Sequence, residues 1–147
     1  MITSSLAKRA GAVLALASTL ILVNAPLASA NWSSTISSWT DGQTSRHWDE
    51  QGTYSQVQFR DCFAQYGTTQ SVDLLMWVDK PLQSDQKLDR KVFTACFNGS
   101  SSWSNGEWTD VPSGDVTLYF EADKVGQGGS CCLLSVSQVE QDTSLAD

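Results

Sequence analysis

The chain has little of what marks a catalyst or a nucleic-acid binder. It holds one histidine, His47, and only 9 Lys and Arg against 16 Asp and Glu, for a net charge of −7. That balance argues against nucleic acid and anionic membrane surfaces as partners, because both would repel it. There is no Gly-x-Ser-x-Gly elbow, no zinc-type cysteine spacing and no Asp-x-Asp-x-Asp-Gly calcium loop. Three prolines, no internal repeat and no sustained helical period complete the absences. The longest apolar run, residues 12–23, is roughly 12 residues long, short of the ~20 needed to cross a bilayer.

What is present around that run reads as an export signal. Lys8 and Arg9 precede it, and Ala28-Ser29-Ala30 follows with the small residues that a signal peptidase recognises. Residues 1–30 are therefore expected to be a signal peptide, with Asn31 as the mature N-terminus and a secreted, extracellular product. Taking 30 residues from 147 leaves 117, the size of one domain. With Lys8 and Arg9 removed, the 16 acids face seven basic residues, a net charge near −9 that keeps an extracellular protein soluble.

All four cysteines, Cys62, Cys96, Cys131 and Cys132, lie in the mature part. In an exported chain an even count reads as disulfides. The favoured pairing is Cys62–Cys96, joining two strands across the core, with Cys131–Cys132 left as a bridge between neighbours. The alternative gives Cys131 and Cys132 one partner each from Cys62 and Cys96. Adjacent strand residues point to opposite faces, so a bridge between neighbours requires a bent backbone, which Gly128 and Gly129 permit.

Period-2 alternation recurs along the mature chain and predicts an antiparallel β-sandwich of six to seven strands. Residues 53–62 alternate Val57 and Phe59 with Gln56, Gln58 and Arg60. Residues 71–79 are the most apolar, with Val72, Leu74, Met76 and Val78 inward and Leu75 and Trp77 opposite, as in a central strand. Residues 92–97 and 116–121 read as two more strands, the second with Val116, Leu118 and Phe120 on one face. Leu134 and Val136 share a face with Val139 out of phase, the mark of a bulge. Residues 83–91 read as a polar connection, 98–105 as a loop within a Trp-bearing stretch that runs to 110, 112–115 as a turn, and 140–147 as a frayed tail.

Residues 31–45 are rich in Ser and Thr, yet they carry Trp32, Ile36 and Trp39. Large apolar groups in a polar tail need a surface to lie on. One reading makes this the first strand of the domain, residues 46–147; the other makes it an N-terminal arm that docks on a protein partner by strand addition. On the arm reading, deleting it abolishes binding and leaves the domain folded. The stretch 101–110 presents Trp103 and Trp108 beside Asn105, Glu107 and Asp110. Its rings serve the core, a protein contact or a glycan platform.

Catalytic alternatives are thin. His47 beside Asp49 and Glu50 is a candidate general base lacking a recognisable nucleophile. Asp89 with Glu107, or Asp110 with Asp115, are candidate glycosidase pairs whose separation no sequence supplies. Asp79, Asp85 and Asp89, or Asp110 and Asp115, are candidate oxygen ligands for a calcium ion.

Finally, Ser45-Arg46-x-Trp48-x-Glu50, Phe59-Arg60-Asp61-Cys62, the run Phe93-Thr94-Ala95-Cys96-Phe97-Asn98-Gly99-Ser100 and Pro112-Ser113-Gly114-Asp115 resemble the small secreted proteins of Streptomyces and other actinobacteria. One group of similar size comprises the adaptor subunits of umbrella toxin particles, which bridge a lectin-type subunit to the spokes of a large polymorphic toxin. That resemblance implies a non-enzymatic adaptor with the N-terminal arm as docking element. The adjacent Cys131 and Cys132 are not matched in that group. The readings carried forward are a secreted protein-binding module, a glycan-binding module using the loop tryptophans, and a small secreted enzyme inhibitor presenting the loop 98–105.

Overall fold

Wherever apolar and polar side chains alternate, the chain is extended. The computed structural model describes residues 31–144; the expected signal peptide over residues 1–30 lies outside them, as do residues 145–147. Eight strands form: β1 Trp32–Trp39, β2 Trp48–Glu50, β3 Ser55–Gln65, β4 Val72–Asp79, β5 Gln86–Phe93, β6 Trp103–Trp108, β7 Val116–Asp123 and β8 Leu133–Asp142. They pair antiparallel in two four-stranded sheets, ordered β1-β8-β3-β6 and β2-β7-β4-β5. The all-β, disulfide-bonded sandwich is as expected, with eight strands in place of six or seven. Among the described residues the helical pieces are two 3-10 turns, Ala95–Phe97 and Val125–Gln127, and no helix is long and apolar enough to cross a membrane.

Between the sheets, Phe59 meets Phe93 edge-on at 5.0 Å and Phe120 at 5.6 Å between ring centroids. Val72, Leu74, Met76 and Val78 of β4 are buried beneath them, and Leu75 is buried on the opposite face. β4 is accordingly central, flanked by β7 and β5. The Cys62–Cys96 bridge ties β3 to the Ala95–Phe97 turn and closes a separation of 34 residues. A loop of that length stabilises by about 2–4 kcal/mol.

β3 reverses phase midway. Ser55, Val57 and Phe59 face inward, and then Cys62 and Ala64 do. Asp61 makes the change by adopting φ 55°, and its Oδ2 accepts a hydrogen bond from Ser137 Oγ at 2.6 Å on neighbouring β8. β8 reverses opposite it, with Leu134 and Val136 inward and then Val139. Without that reversal Cys62 would face solvent, out of reach of Cys96.

Several expectations are corrected, and the two readings of the first segment are decided. Residues 86–93 are strand β5, not a polar connection, and regular pairing ends at Phe93, leaving Cys96 in a 3-10 turn. Residues 103–108 are strand β6, not loop. The last strand continues to Asp142, so residues 140–142 are paired, not frayed. The segment 32–39 pairs with β8 along its length and belongs to the sandwich, the first of the two readings given for it. The boundary drawn between residues 45 and 46 therefore divides no structural units.

Candidate functional site

Among the described residues β1 is an edge strand: β8 lies on one side and no strand on the other. Its sequence, WSSTISSW, contains five serines and threonines, no charge and no proline. Edge strands are ordinarily blunted by Lys, Pro or irregular register, since bare N–H and C=O groups invite another chain. β1 uses only the last of these devices. Its register against β8 shifts between Ser34 and Ile36 and again between Ile36 and Trp39, where Ser38 takes φ 57°. The second shift turns Trp39 inward together with Trp32 and Ile36.

Trp32 and Trp39 both meet Phe120, and all three side chains line one cleft with it. Trp32 lies nearly parallel to Phe120 at 6.5 Å and tilts against Trp48 at 5.8 Å. Trp39 meets Phe120 at 6.1 Å, and Ile36 is 5% exposed. Between Trp32 and Ile36 the inward position belongs to Ser34, too small to reach the opposite sheet. The result is a cleft of about 90 Å3 lined by Trp32, Ser34, Thr35, Ile36, Trp39, Ser45, Arg46, Phe120 and Val139. Ser45 is pinned as part of its wall. Its main-chain N donates to Phe120 O at 2.8 Å, and its Oγ accepts from Phe120 N at 2.9 Å.

Arg46 is the only charged residue of that lining, with its guanidinium 5.6 Å from the Trp32 ring centroid. In a chain with 16 acids, a cleft without a carboxylate stands apart from the rest of the surface. An apolar floor, one cation at the rim and an open strand edge together suit an extended peptide with an apolar side chain.

The other two tryptophans named from sequence lie at the far lateral edge, on opposite faces of β6. Trp108 is 0% exposed and donates from Nε1 to Asp89 O at 2.6 Å. It is a core residue, which corrects its assignment as a contact residue. Trp103 faces outward with Arg60 over its ring at 5.2 Å. One ring inside and one beneath a guanidinium do not form a shared sugar platform. The cysteines pair in the favoured way, Cys62–Cys96 and Cys131–Cys132.

A row of side chains on the outer face of the second sheet escaped the sequence reading. His47 stacks on Tyr119 at 4.7 Å, Tyr119 on Trp77 at 6.5 Å, and Lys87 sits 5.9 Å from the Trp77 ring. Trp77 stood out as facing away from the core; its pairing with Tyr119 depends on register, which no local pattern reveals. His47 Nδ1 contacts Asp79 Oδ2 at 3.3 Å, so the candidate base is held within this row. Tyr119 donates to Asp85 Oδ2 at 2.6 Å, and Lys80 N donates to Asp85 Oδ1. The Tyr119 hydrogen bond holds the Asp85 carboxyl below its ordinary range, while burial and then the hydrogen bond to Asp85 push the Tyr119 hydroxyl up.

The remaining acids are scattered. Glu107 accepts from Tyr54 OH at 3.1 Å, and Asp89 lies 3.9 Å from Lys91. Among the described residues no three His, Cys, Asp or Glu side chains gather as a metal-ligand group. Glu50 is the exceptional carboxyl. It is 2% exposed at one end of the sandwich, its Oε1 accepts from Gly52 N at 2.7 Å, and its Oε2 has no partner. Burial pushes its pKa above 4.5. Compared with known proteins, the chain matches no family model, no curated protein and no solved structure.

Proposed function

We propose that this chain is an exported, non-enzymatic protein-binding module that receives an extended segment of its partner along the free edge of β1. In this reading it serves as an adaptor or accessory subunit of an extracellular complex, the role implied by its resemblance to the adaptor subunits of umbrella toxin particles. The observation that carries the reading is an eight-residue edge strand without charge or proline, beside a cleft walled by Trp32, Ile36 and Trp39. Main-chain pairing along such an edge supplies affinity, and the cleft supplies selectivity for one side chain. Burying an aliphatic side chain there contributes about 1.5–3 kcal/mol.

The arm changes meaning accordingly. Trp32, Ile36 and Trp39 hold β1 on its own domain and shape the cleft, so the partner meets the strand's outer edge. Removing residues 31–45 would uncover Phe120, Val136 and Val139 and unfold the domain, so deletion is the wrong test. The test is a substitution on the edge. Residues 31–147 are immobilised and exposed to the secreted proteins of the producing cells, alongside the Ser33→Lys/Thr35→Lys variant. A retained chain that the doubly substituted protein fails to hold supports the reading. Equal retention by both proteins overturns it.

A further inference from the structure

Cys131 and Cys132 are the one chemically reactive pair that neither fold nor docking edge requires. A disulfide stabilises mainly through the length of chain that it closes. Cys62–Cys96 closes 34 residues, while Cys131–Cys132 spans a separation of 1 and staples nothing distant. The two bridges also differ in access. Cys62 is 7% exposed and Cys96 0%, so both of those sulfurs are shielded. In the second bridge Cys132 is 0% exposed, whereas Cys131 lies at the surface.

The loop before the bridge holds this asymmetry in place. Lys124, Gly126, Gln127, Gly128 and Gly129 all take positive φ. Asp41 fixes the loop from both ends, accepting from Val125 N with Oδ1 and from Gly129 N with Oδ2, each at 2.8 Å. Gly126 packs so tightly that a Cβ on it would lie 2.6 Å from the Gly67 Cα and 3.4 Å from the Cys132 Cβ. The Cys132 side is thus closed by backbone, and a reagent reaches the bridge from the Cys131 side.

We infer that Cys131 is a site of reversible thiol–disulfide exchange, at which an external thiol becomes covalently attached. An incoming thiolate attacks Cys131 Sγ, a new S–S bond forms there, and the Cys131–Cys132 bond breaks. The electron pair leaves on Cys132 Sγ. Burial disfavours a thiolate, so Cys132 takes a proton from solvent. One external thiol is oxidised to the disulfide level as Cys132 is reduced, and no further oxidant is required. The neighbouring Cys132 thiol reverses the step by attacking the mixed disulfide and expelling the external thiol. Cys132 stands two residues before Leu134, which pairs with Trp39. The exchange site therefore lies at the Trp39 end of the docking strand, although the inference stands independently of docking.

The test incubates folded residues 31–147 with glutathione, or separately with an unstructured peptide carrying one cysteine, and then quenches with an excess of an alkylating agent that traps released thiols. Peptide mass spectrometry then locates the products. The expected result is the external thiol on Cys131, alkylation on Cys132, and an intact Cys62–Cys96 bridge. Reaction with glutathione alone assigns the site to small thiols, and reaction with both probes assigns it to partner cysteines as well. The same protein unfolded in guanidinium serves as control and should lose the preference for Cys131. Attachment at Cys132, prior opening of Cys62–Cys96, or no adduct on folded protein while the unfolded chain reacts would each overturn the inference.

Discussion

The two lateral edges of the sandwich are built on opposite plans. At one, β5 and β6 bury Phe93 and Trp108 completely, and β5 carries Lys87, Asp89, Arg90 and Lys91 along its length. At the other, β1 carries no charge, its inward row is interrupted by Ser34, and a cleft opens above Phe120. Charge, lysine above all, is a usual protection of an edge strand, and here it guards β5 and is missing from β1. The difference teaches that the bareness of β1 belongs to that strand alone and does not reflect an unprotected fold.

The comparison breaks most severely at the closed edge. Trp108→Ala removes the largest fully buried side chain and should cost about 3–5 kcal/mol, read as a lower denaturant midpoint. Gly106→Ala tests the same packing from the other direction. A Cβ there would sit 2.8 Å from Phe93 Cε1 and 2.9 Å from Trp108 Cη2. Overpacking of that kind costs about 1–3 kcal/mol, measurable by the same unfolding curve.

At the open edge the expected effects on stability are smaller and more specific. Glu50 on β2 has a folded pKa raised above 4.5, so the folded state binds its proton more tightly than the unfolded state. Its contribution to stability is present below pH 4.5 and is lost as pH rises through the raised value. Glu50→Gln keeps an oxygen for the Gly52 N–H and carries no charge. It should raise the melting temperature at about pH 7 and lose that advantage near pH 4, as thermal scans at the two values would show. Thr35→Lys, on exposed β1, should change stability by no more than about 0.5 kcal/mol while abolishing retention of a strand-adding partner.

Legibility in the sequence followed how each strand is buried. β4 was readable because it is apolar on both faces, and β7 because Leu118 and Phe120 alternate cleanly with polar residues. β6 was not, because its inward positions are Ser104, Gly106 and Trp108, two of which carry almost no apolar signal. β5 hid behind its charges for the same reason, burying only Leu88 and Phe93. The disulfide pairing was within reach of strand logic. The cleft was half legible: Trp32, Ile36 and Trp39 stood out in a polar stretch, but the contributions of Arg46 and Phe120 depend on how two sheets face each other.

The phase reversal at Asp61 gives this sheet an unusual reading frame. Upstream of it the odd-numbered residues of β3 are interior, and downstream the even-numbered ones are. Loss of a single residue there would keep every apolar side chain in the sequence and restore simple alternation to β3, yet slide residues 62–65 one position against β8, whose own reversal would remain. The pairing of β3 with β8 is thus more sensitive to the count of residues between Phe59 and Cys62 than to their chemistry. Natural variation at this bend should accordingly appear as substitution and almost never as insertion or deletion.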